Sequence, residues 1–213
     1  MSGSLTEERA LIFRISHRDN ASWVIANGMH CRNSRTSDPN FVSIGNPDLI
    51  DRRHHRAVPC PPFGTLSDYV PFYFTPFTPM LLNIKTGFSG IRKRPIDEIV
   101  IFVARLRSLH AKGVPFIFTD RHAALATAQF SSDLAMLNRI DWEIIRNRDF
   151  KRDPEDPGKV ERYQAEALVH RHLPMKSVAG IVCYNDAVKA TMQREAEAQG
   201  HALQVISKPG WFI

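Results

Sequence analysis

The chain has 213 residues, 43% hydrophobic and 23% charged, a balance that supports one globular domain with a sizeable core and excludes disordered, collagen-like and coiled-coil chains. Lys and Arg number 28 against 22 Asp and Glu, a formal charge of +6 that permits a polyanionic partner without requiring one. There is no apolar run long enough to span a membrane and no basic start followed by an apolar segment. Neither a membrane span nor a secretory signal is expected, and Cys31, Cys60 and Cys183, widely spaced and without a CxxC pair, fit free thiols in a reducing, cytoplasmic setting.

In chain order, Leu11 to Ile15 alternates as a strand, with Leu11, Phe13 and Ile15 on one face and Arg14 and Ser16 on the other. His17-Arg18-Asp19 opens a short helix that Asp19 or Asn20 can cap, with Trp23, Val24 and Ile25 as apolar contacts and Asn27-Gly28 as its stop. Between Arg32 and Asp68 the chain is rich in Asn, Ser, Pro, Gly and Arg without a sustained period, which predicts a long loop of the kind that usually carries function. Tyr69 to Phe74 reads as an aromatic strand whose Pro71 points to an edge or a bulge. Glu98 to Ala104 is a cleaner strand. A short helical stretch closed by Lys112-Gly113 and a third strand, Pro115 to Thr119, come next.

Arg121 to Arg139 and Trp142 to Arg146 place apolar residues at helical spacing, and Lys151 to Gly158 reads as a turn-forming linker. Gln164 to Val169 is too brief for its period to separate strand from helix. Val178 to Tyr184 predicts a strand, Asp186 to Gln199 an amphipathic helix ended by Gly200, and Ala202 to Lys208 the last strand. This irregular mixture, without steady βαβ alternation, predicts the α+β class rather than a doubly wound sheet.

Glycine-loop signatures for a dinucleotide or a nucleoside triphosphate are missing. His54-His55 and His170/His172 lack a carboxylate or cysteine at ligand spacing, so no metal is expected. Arg52 to Arg56 and Arg92-Lys93-Arg94 are dense basic clusters, open to a solvated or a phosphate-contacting role. Composition and spacing alone therefore reach a soluble, basic α+β domain with nucleic acid as one candidate partner.

Five longer segments carry more. Leu11-Ile-Phe-Arg-Ile-Ser-His-Arg-Asp-Asn20, Ile44-Gly-Asn-Pro, Asp68-Tyr-Val-Pro-Phe-Tyr-Phe-Thr-Pro76, Pro115-Phe-Ile-Phe-Thr-Asp120 and Glu161-Arg-Tyr-Gln-Ala-Glu-Ala-Leu-Val169 together resemble, in order and spacing, the DarT family of bacterial toxins that ADP-ribosylate DNA. The resemblance implies one domain over residues 1–213 with the ADP-ribosyltransferase fold: a split pair of small β-sheets flanked by helices around an NAD cleft. It implies transfer of ADP-ribose from NAD to thymine in single-stranded DNA, a block on replication, a DarG-like macrodomain antitoxin as partner, no membrane and no metal. The rival readings are the same fold acting on guanine, RNA or protein, and a DNA-binding module without catalysis.

Site residues follow from the same resemblance. The catalytic glutamate falls on Glu166, and the chemistry needs one: cleaving the nicotinamide–ribose bond passes through an oxocarbenium-like state that a carboxylate on the ribose 2′-OH can stabilise. The NAD-contacting positions are Arg14, Ile15, Ser16 and His17, with Trp23 and Cys31; Trp23 serves equally as a core residue of the first helix. Some relatives carry histidine at the place of Arg14, which leaves open which group holds the diphosphate. Residues 32–68 would cover NAD and supply Arg53, with Arg52 the alternative register. A guanidinium is a poor base, so Arg53 is expected to act by charge, favouring the deprotonated ring nitrogen of thymine. Residues 120–166 would recognise the substrate, with Arg121, His122, Arg148, Lys151 and Arg152 as candidate DNA contacts. Tyr69, Phe72, Tyr73 and Phe74 include a candidate stacking platform, although an aromatic strand more often forms core.

Overall fold

The longest apolar strand segments lie together in one half of a sheet. In the computed structural model, which describes residues 5–212, β1 (Leu11–His17) is joined through the short α1 (Ala21–Asn27) to a two-residue β2 (Met29–His30). After α2 (Pro47–His55), β3 (Tyr69–Tyr73) and α3 (Pro79–Thr86), β4 (Ile99–Arg105) pairs antiparallel with the whole of β1. Next come α4 (Leu106–Ala111), β5 (Phe116–Thr119), β6 (Phe130–Ser131), α5 (Trp142–Asn147), α6 (Lys159–Tyr163), β7 (Glu166–His170) and β8 (His172–Leu173). The chain ends with β9 (Val178–Cys183), α7 (Asp186–Ala198) and β10 (Gln204–Ser207), a parallel crossover that adds β10 beside β9.

The main sheet runs β10-β9-β4-β1-β3-β7-β5-β6, and β2 with β8 forms a small second sheet. β1 touches β3 through a single pair, Phe13 with Tyr73. The large sheet is thus two four-stranded halves hinged at one point, the split pair that the resemblance implies. Its core is continuous across that hinge, with Phe13, Phe72, Phe102 and Phe118 buried. Pro71 fits here because of the split. Its carbonyl accepts from Arg14 Nη1 at 2.9 Å, and N and C=O of a strand residue face the same side, so the missing N–H faces the gap toward β1 and leaves the β3–β7 ladder intact.

Three sequence expectations change. Residues 32–68 are not loop throughout: Asn46 Oδ1 accepts from the N–H groups of Asp48 and Leu49, Pro47 occupies the first turn, and α2 follows. Residues 121–139 do not form the expected helix. Asp120 Oδ1 accepts from Gln129 N, β6 pairs with β5, and Asp133 caps a 3₁₀ turn over Leu134–Arg139, so side chains and a strand edge take the backbone groups a helix would use. The cap of α1 is likewise not made by Asn20. Its side chain instead clasps Val42, accepting from Val42 N at 2.8 Å and donating to Val42 O at 2.9 Å, which ties the long loop to the end of β1. The undecided segment before Val169 is β7, paired with β3 on one side and β5 on the other.

Candidate active site

β7 carries Glu166 as its first residue, opposite Tyr73 of β3, where the sheet halves part. The side chain is 4% exposed and fully engaged. Oε2 accepts from Arg53 Nη1 at 2.8 Å, and Oε1 accepts from Ala123 N at 3.0 Å with His122 Nδ1 3.5 Å away. Thr119 Oγ1 of β5 accepts from Glu166 N at 3.3 Å and fixes the strand end. Burial alone would raise the carboxyl group; the charges of Arg53 and His122 and the Ala123 N–H outweigh it and hold the pKa below its ordinary 4.5. Glu166 is therefore a desolvated carboxylate at neutral pH.

Arg53 reaches this carboxylate from α2, and the anchoring of the long loop explains how. Val58 and Leu66 pack with Tyr69, Ile117, Ala123 and Leu168 in a small apolar cluster of their own. Arg56 Nη2 donates to Leu125 O at 3.0 Å, and Ala57 bridges to Thr65. The C-terminal end of α2 is thereby pinned over β5 and β7. It turns Arg53 inward, 12% exposed, and leaves Arg52 on the exposed side, so of the two candidate registers it is Arg53 that meets Glu166. Arg53 Nη2 is buried with no hydrogen-bond partner among the described residues. An orphaned guanidinium N–H costs free energy unless an acceptor arrives, and beside a carboxylate it makes a binding position for an anion or a carbonyl.

Arg14 joins this group. Burial, with the nearby positive charge of Arg53, lowers it to about 10, which leaves it protonated at neutral pH. Tyr73 is pushed up by burial and by Glu166, so its phenol stays neutral, with Oη 4.0 Å from Met80 Sδ at the start of α3. Arg14, Arg53, Tyr73 and Glu166 thus form one electrostatically coupled cluster. Glu166 and Arg53 are the positions to which the family resemblance points; His122, a candidate DNA contact, stands beside the carboxylate, and Met80 carries no signal in the sequence. Both depend on β3, β5 and β7 lying side by side, which no local pattern reveals.

The remaining candidates fall in other places. Ile15 and Ser16 are buried, Ser16 Oγ accepting from Asn20 Nδ2 at 3.4 Å. His17, also buried, accepts from Asp19 N through Nδ1 at 3.3 Å, so Nε2 carries the proton toward Glu98 Oε2 at 3.1 Å. It lines a cleft of about 290 Å³ with Asp19, Val42, Glu98 and the basic run Arg92 to Arg94. Trp23 is half-buried and meets the His30 ring edge-on at 5.6 Å, while His30 stacks on His172 at 4.2 Å across the small sheet. Cys31 is buried with its N–H on Arg171 O, and burial pushes its thiol up. Neither Trp23 nor Cys31 contacts Glu166.

Of the candidate DNA contacts, Arg121 is paired with Asp120 at 3.0 Å and Arg148 lies 3.5 Å from the centre of the Phe77 ring; Lys151 and Arg152 are exposed. Of the aromatic strand, Tyr69, Phe72 and Phe74 are core, and only Tyr73 faces the carboxylate cluster. No group of three or more His, Cys, Asp or Glu side chains suited to a metal occurs among the described residues.

Comparison with known proteins identifies the family. The family model described as "ssDNA thymidine ADP-ribosyltransferase, DarT" matches residues 13–213. A DNA ADP-ribosyl transferase of Escherichia coli O127:H6 (strain E2348/69 / EPEC) is 48% identical over 212 residues, covering 100% of this chain and 97% of the relative. Among solved structures, Thermus sp. 2.9 DarT in complex with ADP-ribosylated ssDNA superposes with a TM-score of 0.88 at 31% identity, covering 97% of both chains. The same Thermus protein in complex with NAD+ gives a TM-score of 0.84 at 30% identity, over 97% of this chain and 98% of that one. The family match over residues 13–213 and the 48% identical relative show that the chain belongs to the DarT family of DNA ADP-ribosyltransferases.

Proposed function

We propose that this enzyme transfers ADP-ribose from NAD to thymine in single-stranded DNA, with Glu166 and Arg53 as its catalytic pair. The observation that carries the reading is the buried, ionised Glu166 held by Arg53, whose second amino group has no partner among the described residues. The bond from the ribose to the nicotinamide nitrogen breaks with its electron pair leaving on nicotinamide. A thymine ring nitrogen bonds to the same carbon and gives up its proton to solvent. Glu166, through the ribose 2′-OH, stabilises the positive charge that develops on the sugar, and in a buried site such a charge acts with little screening. Arg53 accompanies it by favouring the deprotonated thymine and by holding an acceptor oxygen on Nη2. Arg14, protonated at the mouth of the split, suits the diphosphate.

The naming of thymidine in the matching family description supports this base. By the same family likeness we extend the proposal to a toxin role that blocks replication in a bacterial cytoplasm and to restraint by a DarG-like macrodomain partner. Among the described residues no helix is long and apolar enough to cross a membrane.

Labelled NAD mixed with the protein and with single strands that contain or lack thymine tests the reading, with Glu166→Gln in parallel. Label on thymine-bearing strands that vanishes with the substitution is the expected result. Label confined to guanine-bearing strands keeps the mechanism and moves the target, and no label on any DNA overturns the DNA reading in favour of RNA, protein or a non-catalytic module.

A further inference from the structure

α3 begins beside the carboxylate cluster, at Met80, and ends at an unusual projection. Gly87, Ser89 and Gly90 all take positive φ, 79°, 56° and 72°, so the chain turns sharply and holds Phe88 outward at 68% exposure. Ser89 is strained in this region, and strain of that kind persists where the surroundings fix it. The chain then folds back along the helix: Ile91 N donates to Phe88 O, Arg94 N donates to Ile84 O at 3.1 Å, and Lys93 packs near Gly87. Leu82, 42% exposed, lies on the same helix.

Exposed cations flank these apolar groups along the chain. Lys85, Arg92 and Lys93 are exposed and make no ion pair among the described residues, because the acids at the foot of the projection, Asp97 and Glu98, are held by Arg18, Arg94 and His17. An exposed aromatic ring on a turn whose chain neighbours are unneutralised cations has the chemistry of a single-strand platform: bases stack on the ring while cations meet the phosphates. The length fits as well. Eight helical residues from Pro79 to Thr86 span about 12 Å, roughly three nucleotides at stacked spacing.

We propose that the outer side of α3 and the Phe88 projection form the track for the DNA strand flanking the modified nucleotide. Phe88 stacks on a flanking base, Leu82 packs beside it, and Lys85, Arg92 and Lys93 hold the phosphates. The proposal rests on DNA as the substrate and adds to it the surface that reads strand length and context.

The test uses the full chain and thymine-containing strands of about three and about ten nucleotides. Phe88→Ala is expected to raise KM for the longer strand roughly tenfold, the scale of one lost stacking contact, with kcat and the KM for NAD unchanged. Phe88→Trp is expected to restore it, and Lys85→Ser to lower the salt dependence of binding by about 0.7 in log–log slope. An unchanged KM in Phe88→Ala, or a Phe88→Trp variant no better than Phe88→Ala, overturns the track. If the wild-type chain labels no DNA, the proposed function has failed; anisotropy of a fluorescent single strand on wild type and Phe88→Ala then decides the track alone, equal affinities overturning it and a roughly tenfold loss supporting it.

Discussion

The two long irregular segments, residues 32–68 and 120–165, are fastened in opposite ways. The first is held by a small apolar cluster around Leu66, by the Asn20 clasp on Val42, and by the Arg53–Glu166 ion pair. The second is laced by ion pairs of its own: Lys159 to Asp149 and Asp153, Arg162 to Asp141 and Asp156, together with the Tyr163 hydroxyl on Phe77 O. One of the first segment's fastenings is thus the contact proposed to be catalytic, which substrate would then share or replace, while the second meets Glu166 only near His122 and Ala123. Under the proposed function the difference separates covering from recognising: the arginine-bearing segment, tied to Glu166 by a contact that substrate would share, is the one expected to yield, and the ion-paired segment the one expected to stay.

The largest effect tests the carboxylate that both segments approach. Glu166→Gln keeps the size and several hydrogen bonds but removes the charge, and NAD cleavage in the presence of DNA should fall by about 10³-fold or more with little change in Tm. Arg53→Ala comes next, at about 10²-fold, whereas Arg53→Lys should retain measurable transfer; equal loss in both would count against a charge role. A pH profile sharpens this pair. In the proposed mechanism the active form is the carboxylate, and its pKa lies below the ordinary 4.5, so wild-type activity should be lost only as pH falls through that lowered value. In Arg53→Ala the burial cost is no longer offset by the guanidinium, so the acid limb of the residual activity should move to higher pH. A limb that stays in place would show that Arg53 does not hold the charge of Glu166.

Much of this frame is legible in the chain, and the reasons differ by element. β1, β4 and β9 announce themselves because they are apolar runs buried on both faces, and α7 because Val188, Met192 and Ala196 are buried at helical spacing. α2 does not: Pro47–His55 buries none of its residues, so no apolar stripe marks it, and its only signal is Asn46-Pro47 at the start. Residues 121–139 mislead in the other direction, since Ala123 and Leu137 are buried by turns that mimic helical spacing. Glu166 and Arg53 were found by family likeness, and nothing in their local sequence marks them. The place of His122 against Glu166, 44 positions along the chain, exists only because β5 pairs with β7.

Smaller effects separate the two fastenings. Leu66 is fully buried in the cluster that pins the loop, and Leu66→Ala should cost about 2–5 kcal/mol of stability by leaving a cavity. Because that cluster also places α2, transfer should fall by about tenfold at a temperature where the variant remains folded. Hydrogen exchange should rise first in residues 56–66. Exchange that instead rises evenly through the molecule would show that the cluster belongs to the common core and has no special hold on Arg53.

The smallest effect on catalysis is expected in the other segment. Arg162→Ala removes pairs to Asp141 and Asp156 yet touches no group in the carboxylate cluster, so kcat at saturating DNA should stay near wild type while Tm drops by a few degrees. Acid should loosen the same region. Hydrogen bonds and charge from Lys159 and Arg162 lower Asp149 and Asp156 below their ordinary 3.8. Groups whose folded pKa is depressed stabilise the fold fully above the unfolded value and lose that contribution as pH falls through the folded one. Amide exchange in residues 141–162 should therefore increase, relative to the β1–β4 half-sheet, only below about 3.8. In Arg162→Ala the excess should appear at higher pH, since Asp156 loses its main stabilising partner. If exchange there is already fast at neutral pH, the ion pairs are surface decoration, and the contrast between a displaceable cover and a fixed recognition segment fails.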